Sequence, residues 1–387
     1  MERETYYIVC APGLEAVTSA EMRGIGLLPK PAGKRRKPDL RPEHDESGGV
    51  AFDGFREHMY RANLLLRTAG RVLMRIGEFN AYSFPELRHK AAQLPWERYI
   101  TPGQPLRMRV TSHQSKLYHT DAVAERVLGA VGDRLGRTPA EEDILGQIIV
   151  VRFLNNRAVI SVDTSGALLH KRGYRLETAK APLRETLAAA MLLASGWDQS
   201  APLLDPFCGS GTIAIEAALM AAGIPPGLNR RFAFMDMPDY DEQLWQAQLE
   251  KYAPPQGKSM PVIQASDRDA GAVRAAQANA ERAGMASHIA FNTRAVSAVE
   301  PPPGPGWVVT NPPYGLRIDE NKDLRNLYAQ LGNVLRVNCQ GWTAAVLTSD
   351  IRLLKQTGLA LETALSTVNG GVNVRMGLGK VEAQSTE

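Results

Sequence analysis

The chain has 387 residues, 44% hydrophobic and 22% charged, with a formal net charge of +4. That length supports two or three domains with cores of their own, and no run of about 18 apolar residues is present to span a bilayer. Cys10, Cys208 and Cys339 are too few and too scattered for a disulfide framework or a zinc site, and the seven His show no paired spacing, so nothing supports metal catalysis. The charged start from Met1 to Tyr7 lacks a secretory-leader layout, and the expectation is a cytoplasmic, reduced protein. Charge is uneven: residues 1–180 carry 28 Lys and Arg against 21 Asp and Glu, and the rest carry 17 against 20. A basic front and an acidic back fit a polyanion-binding module joined to a site for a cationic ligand.

In chain order, Tyr6–Val9 reads as a strand, Gly13–Gly24 as a helix and Gly49–Phe52 as a strand, a small α+β unit over 1–60. Between them, Lys34-Arg35-Arg36-Lys37 sits in a Pro/Gly/acid-rich stretch expected to be a solvated loop. Arg61–Ile76 is helical or extended. Leu106–Val110 alternates apolar and basic residues as a half-exposed strand does. Thr120–Leu135 is an amphipathic helix. Ile148–Phe153 and Arg157–Val162 form a hairpin over Asn155-Asn156, and 163–173 link this region to the back half.

The back half repeats strand, turn, helix. Pro202-Leu203-Leu204 opens onto Asp205-Pro206-Phe207-Cys208-Gly209-Ser210-Gly211-Thr212 and then an apolar helix to Ala222. This geometry lets a ligand approach backbone closely at the carboxyl edge of a parallel sheet, and the loop lacks the Lys of a phosphate-binding P-loop. Pro261–Ser266 is a second strand ending in Asp267, before the helix Ala270–Ala283. Asp267 can accept both hydroxyls of a ribose, while Asp269 is the better helix cap. With Asp205, the pocket is acidic. It suits a ligand with an ammonium and a sulfonium better than a pyrophosphate, so S-adenosylmethionine is the expected cofactor. Asp205, Pro206, Cys208, Gly209, Ser210, Gly211, Thr212, Asp267, Arg268 and Asn311 are the expected cofactor-binding residues, with Cys208 filling the loop rather than acting as a nucleophile.

The strand Gly306–Thr310 runs into Asn311-Pro312-Pro313-Tyr314. An exocyclic amino nitrogen on a nucleobase is a poor nucleophile because its lone pair is delocalised into the ring. Acceptors that hold its hydrogens can align it with an electrophilic methyl group. The Asn311 side chain and the Pro312 carbonyl can be those acceptors, with Tyr314 stacked on the base. Lys322–Val337 (helix), Thr343–Thr348 (strand), Ile351–Gln356 (helix) and an antiparallel pair around Asn369-Gly370-Gly371 complete the chain.

From about His170 onward the chain resembles class I S-adenosylmethionine-dependent methyltransferases, and specifically guanine-N2 RNA methyltransferases with an N-terminal THUMP domain. The resemblance lies in His170-Lys171-Arg172-Gly173-Tyr174-Arg175, Ala181–Leu187, the Asp205–Thr212 loop, Pro226–Phe232, Asp267 and Asn311–Gly315. Ser112–Thr120 is similar to the THUMP signature. The resemblance implies a Rossmann-like domain over 164–387 with a seven-stranded, mostly parallel sheet. A ferredoxin-like α+β unit (1–60) and a THUMP domain (61–163) would precede it. It also implies RNA contacts, in rRNA or tRNA, at Ser115, Lys116, His119, Lys171, Arg172, Arg230 and Arg231. The last two lie in an insertion, 223–259, with an expected place over the active site. No obligate protein partner is evident. Two positions depart from the family: Ala295 stands where an acid contacts adenine, and Leu316 where close relatives often have Glu. An adenine-N6 DNA methyltransferase or a glutamine-N5 protein methyltransferase would share Asn-Pro-Pro-Tyr, and an RNA-binding protein with an inactive methyltransferase fold is the alternative of another class.

Overall fold

The structure is a computed structural model that describes residues 2–30, 48–142, 146–176, 183–255, 257–314 and 324–382. The Lys34–Lys37 run, Ala181-Pro182, Gly315 and Leu316 lie outside the described residues. The front half comprises β1 (Glu4–Val9), α1 (Glu15–Gly24), β2 (Gly49–Gly54), α2 (Arg56–Leu65), β3 (Arg71–Asn80), α3 (Phe84–Ala92), β4 (Leu106–His113), α4 (Thr120–Leu135), β5 (Gln147–Leu154) and β6 (Arg157–Asp163). Its strands form one sheet in the order β2-β1-β3-β6-β5-β4. The segment 61–76 divides into the end of α2 and the start of β3. Because β3 pairs with both β1 and β6, the two α+β segments expected as separate units share one continuous sheet.

Local chemistry accounts for these elements. The β5–β6 hairpin turns on Asn155 (φ 52°) and Asn156 (φ 64°), the two positive-φ positions of the favoured two-residue turn. In α4, Val123, Val127 and Val131 recur every four residues and are buried, and Gly136 at φ 75° ends the helix. Strand alternation leaves Tyr6, Ile8, Val72, Met74, Ile149, Val151 and Ile160 in the front core.

The back half comprises α5 (Glu185–Ala194), β7 (Leu203–Asp205), α6 (Thr212–Ala221), α7 (Glu242–Lys251), β8 (Ile263–Asp267), α8 (Ala270–Arg282), β9 (Ile289–Thr293), β10 (Trp307–Thr310), α9 (Leu324–Asn338), β11 (Thr343–Thr348), α10 (Ile351–Gln356), β12 (Glu362–Asn369) and β13 (Val372–Lys380). The sheet order is β12-β13-β11-β10-β7-β8-β9. Strands β11, β10, β7, β8 and β9 run parallel, and β13 is antiparallel to both β11 and β12. Sequence order reverses between β7 and β10, and in an open α/β sheet such a switch point opens a crevice at the carboxyl ends of the strands.

The two halves exchange side chains. Phe232, Phe234, Met237 and Trp245, from the insertion between α6 and β8, sit in the core of the front half. Tyr60 of α2 meets Phe234, Trp245 and Tyr240 with ring centroids 4.6, 5.8 and 6.1 Å away, and its hydroxyl accepts from the Asp241 amide at 3.0 Å. Arg56 pairs with Asp239. In return, Cys10 and Leu14 of the β1–α1 loop join the core of the back half. Beside them Gly13 (φ 89°) presses so closely on β12 that a Cβ would lie 1.9 Å from the Ser366 carbonyl oxygen.

Candidate active site

The crevice is built first by the loop after β7. The Cys208 amide donates to the Ser266 carbonyl (2.9 Å), the Gly209 amide to Asp267 Oδ2 (3.1 Å) and the Gly211 amide to the Cys208 carbonyl (2.8 Å). Asn279 of α8 donates from Nδ2 to the Ser210 carbonyl at 3.1 Å. Gly211 has φ 84°, and a Cβ there would stand 2.9 Å from that of Ala276, so glycine is required both by the turn and by α8. Thr212 then begins α6, so the positive end of its helix dipole lies at the end of this loop.

Asp205 closes β7 and is buried. Its Oδ1 accepts from Thr310 Oγ1 (2.7 Å) and the Phe207 amide (3.2 Å), whereas Oδ2 is buried without a partner. Burial raises its carboxyl to about 7; the two hydrogen bonds pull it down, and the nearby Asp267 charge pushes it up. A buried acid with an unused oxygen is a place for a cation, and unsatisfied buried acceptors call for a ligand or ordered water. Ser266 Oγ, at the end of β8, is likewise buried and unpartnered. Asp267 is half-buried, with Oδ2 on Gly209 and Oδ1 accepting from the Asp269 amide at 3.0 Å. Asp269 caps α8 through the Gly271 amide at 2.7 Å. Asp269 is thus the helix cap, as expected, and Asp267 is bonded to the loop. Each carboxylate oxygen has a second lone pair, so Asp267 retains acceptor capacity for hydroxyls.

Pro206, Cys208, Ser210 and Thr212 are buried parts of the loop wall, and Arg268 is exposed beyond Asp267. Burial pushes the Cys208 thiol far up, and the Asp205 and Asp267 charges add to this, so it stays protonated. Ala295 is exposed, just after Arg294, whose amide donates to the Asp267 carbonyl at 2.9 Å.

Asn311 follows Thr310 directly, which ties the ends of β10 and β7 together through Asp205. Its Oδ1 is buried and has no hydrogen-bond partner. Pro312 is buried and Pro313 exposed. The Tyr328 hydroxyl of α9 lies 3.4 Å from the Pro313 carbonyl oxygen and 3.2 Å from Thr348 Oγ1. Tyr314 is only 5% exposed, and its hydroxyl accepts from Asn369 Nδ2 at 3.2 Å. It is thus a wall residue held from behind rather than the open platform that stacking calls for. Thr310, Tyr328 and Asn369 escaped sequence reasoning because their roles arise from contacts across 15 to 105 positions.

The residues assigned to RNA fall into two groups. In the turn between β4 and α4, Ser115 is half-buried and structural: its hydroxyl donates to the His113 carbonyl (2.8 Å) and accepts from the Asn156 amide (2.9 Å). Around it Lys116 and His119 are exposed. Lys116 Nζ lies 5.6 Å from the Tyr82 ring centroid, and Tyr118 lies against His119 with centroids 4.1 Å apart. Tyr82 and Tyr118 are 50% and 66% exposed, and two uncovered aromatics beside a cation are what stacking on single-stranded bases uses. Lys171 is also exposed.

Arg172 and Arg230 differ from expectation, whereas Arg231 is exposed. Arg172 is buried: Nη2 donates to the Arg67 carbonyl (2.6 Å), Nη1 to the Leu169 carbonyl (2.7 Å), and Nε lies 3.5 Å from Glu216, a fully buried acid of α6. Tyr174 donates to the same Glu216 at 3.0 Å, and Arg67 lies 4.0 Å from it. These cations serve the seam between the halves, where a buried acid needs partners. Arg230 binds the carbonyls of Ala167 and Leu168, and Arg231 pairs with Asp236. Their insertion packs on α2 and the front core, which corrects its expected position over the active site. The aromatic residues Phe232, Phe234 and Trp245 dictate that burial.

Known proteins give this geometry a family. The model of an RMKL-like methyltransferase domain matches residues 172–376, that of a THUMP domain 81–163, and that of an RlmL ferredoxin-like domain 40–73. The chain belongs to the RMKL-like methyltransferase family. It is similar to a Synechocystis protein provisionally named an RNA methyltransferase, at 33% identity over 95% of this chain and 94% of that one. It is also similar to ribosomal RNA large subunit methyltransferase K/L of Syntrophotalea carbinolica (35% identity, 97% of this chain, 53% of that one) and of Allochromatium vinosum (38%, 85% and 47%). The chain spans about half the length of these K/L relatives. Among solved structures it resembles SMU.472, provisionally described as a methyltransferase and solved with S-adenosylhomocysteine (SAH; TM-score 0.86, 28% identity, all of both chains). A Listeria monocytogenes protein described as a predicted N6-adenine-specific DNA methylase matches with TM-score 0.82 and 33% identity over 97% of this chain and 96% of that one. This RMKL-like protein is thus an S-adenosylmethionine-dependent methyltransferase with a THUMP domain and a Rossmann-like catalytic domain. Its crevice fits that cofactor: Asp205 Oδ2 is an unused buried acceptor for a cation, and Asp267 stands at a strand end beside the glycine turn. No helix among the described residues is long and apolar enough to cross a membrane.

Proposed function

We propose that this protein methylates the exocyclic N2 amine of a guanine in structured RNA, with large-subunit ribosomal RNA as the substrate. The observation that carries this reading is the buried, unpartnered Oδ1 of Asn311 at the switch point, one residue beyond the Thr310–Asp205 hydrogen bond. A buried lone acceptor selects an N–H donor, because leaving it unpaired costs about 1–3 kcal/mol. The bound cofactor supplies an electrophilic methyl group.

The chain's own residues then have defined tasks. Asp205 and Asp267 hold the cofactor's charged and hydroxyl-bearing parts. Asn311 Oδ1 and the Pro312 carbonyl accept the two amine hydrogens, fixing the nitrogen for in-line transfer. Tyr314 walls the base. No general base is needed at the start, since the nitrogen becomes strongly acidic once methylated. Flipping the base out of its stack costs a few kcal/mol, less in a loop or bulge. Lys116, Tyr82, Tyr118, His119 and Lys171 offset this by stacking and phosphate contact. Adenine N6 is an exocyclic amine of the same chemistry, and the Listeria relative's description favours it as the second reading.

Labelled S-adenosylmethionine offered with rRNA, tRNA, DNA and protein, followed by digestion to nucleosides, tests the proposal. Label in N2-methylguanosine from rRNA is the expected result. Label in N6-methyladenosine, or in DNA or protein alone, overturns it.

A further inference from the structure

The hydrogen bond behind Tyr314 comes from an unexpected place. Asn369 is the last residue of β12, 4% exposed, in the terminal pair with Val372 across Gly370-Gly371. Gly370 (φ 57°) and Gly371 (φ 84°) satisfy the two-residue turn by themselves, so the turn does not account for Asn at 369. Nor does strand preference, since Asn is depleted in strands and a buried amide is costly unless bonded. What accounts for it is the 3.2 Å bond from Nδ2 to the Tyr314 hydroxyl, across 55 residues of sequence.

The inward row of β12 reads Leu365, Thr367, Asn369. Leu365 enters the catalytic core. Thr367 Oγ1 donates to the Pro12 carbonyl at 2.8 Å, beside the Gly13–Ser366 close approach. One face of an edge strand therefore touches the front half at Pro12 and the reactive segment at Tyr314, two residues apart. Val368, Asn369, Gly370 and Gly371 also line a cleft of about 900 Å³ between the halves, whose other walls include Arg109 and Arg184.

We propose that Asn369 is a positioning residue for methyl transfer: it fixes the Tyr314 ring beside the target base, and the β12–β13 hairpin relays the placement of the front half to that ring. The proposal rests on the assignment of Asn311–Tyr314 to the reacting amine. In this role Asn369 acts through Tyr314, the ring its amide holds.

The test is a double-mutant cycle on the full chain with Asn369→Ala and Tyr314→Phe, reading kcat and KM for rRNA, S-adenosylmethionine affinity and melting temperature. Asn369→Ala lowers kcat roughly 5- to 10-fold, the scale of one neutral hydrogen bond, and leaves cofactor affinity unchanged. In the Tyr314→Phe background the same substitution has little further effect. Asn369→Asp, which keeps the shape and lets the tyrosine donate, restores most of kcat. Wild-type kcat in Asn369→Ala overturns the proposal, as does an equal loss in both backgrounds. If Asn369→Ala does not fold, Asn369→Asp decides, because a kcat no better than that of Tyr314→Phe also overturns it. An Asn311→Ala control that remains fully active removes the parent reading instead.

Discussion

The cofactor crevice and the turn after β4, proposed above as an RNA contact, are built on opposite plans. In the crevice, Asp205, Ser266 and Asn311 each have one buried, unused polar atom, beside a loop whose backbone is tied at five points. In the turn, Lys116, Tyr118 and His119 lie in solvent, with Lys116 against Tyr82 of the β3–α3 loop and Tyr118 against His119. A buried unsatisfied acceptor concentrates its free energy in one contact, whereas solvated cations and rings contribute small, salt-screened increments. The chemistry should therefore hang on single atoms and RNA capture on a sum.

The largest effect expected is at Asn311. Asn311→Ala should cut methyl transfer by roughly 100-fold or more while cofactor affinity stays within a factor of about three, the scale for losing an orienting polar group. Single-turnover kinetics beside calorimetry would show it, and parallel losses in both would mean a folding defect. Next comes Asp267→Ala, which should weaken S-adenosylmethionine binding by about 1.5–3 kcal/mol, as for a charged hydrogen-bond partner. Unchanged affinity would reduce Asp267 to a loop tie.

Asp205 makes the comparison pH-dependent. Its carboxyl is raised to about 7, so in the free protein it is protonated below that pH. A cationic ligand favours the ionised form, and binding below about pH 7 must release a proton. Affinity should climb from pH 5.5 to 7, by at most tenfold per unit, and level off above. Folding has the opposite sign, since the raised value makes the free protein lose stability as pH rises from the ordinary carboxylate range to about 7. Asp205→Asn should flatten both curves in titration calorimetry and thermal melts. The smallest effect is expected in the turn: Lys116→Ala should weaken RNA binding only a few-fold and shallow the salt dependence by about one phosphate's worth. A 100-fold loss there would erase the contrast.

Much of the crevice is legible in the residues. Strand, glycine turn and helix at 202–222, the acid at 267 and Asn-Pro-Pro-Tyr each carry their geometry locally, since hydrophobic period and turn chemistry set it within a few residues. The hairpin at Asn155-Asn156 and helix α4 are legible for the same reason. What escapes is what depends on the partner across the fold. Arg172 and Arg230 read as RNA contacts because a cation in sequence carries no mark of the acid or carbonyl it will meet. Phe232, Phe234 and Trp245 announce burial but not beneath which sheet. Asn369 looks like a turn residue until Tyr314 arrives beside it.

The exchange of side chains between the halves has a consequence for the protein's modularity. Although the family models divide the chain near residue 170, a scissor cut there would strip Phe232, Phe234 and Trp245 of their housing and leave Tyr60 facing water. Each such aromatic carries enough apolar area to be worth about 3–5 kcal/mol when truncated, comparable to much of a domain's net stability. The catalytic half on its own is therefore expected to be recovered aggregated rather than as a free enzyme. A graft onto a foreign RNA-binding head would have to carry a matching socket for the insertion.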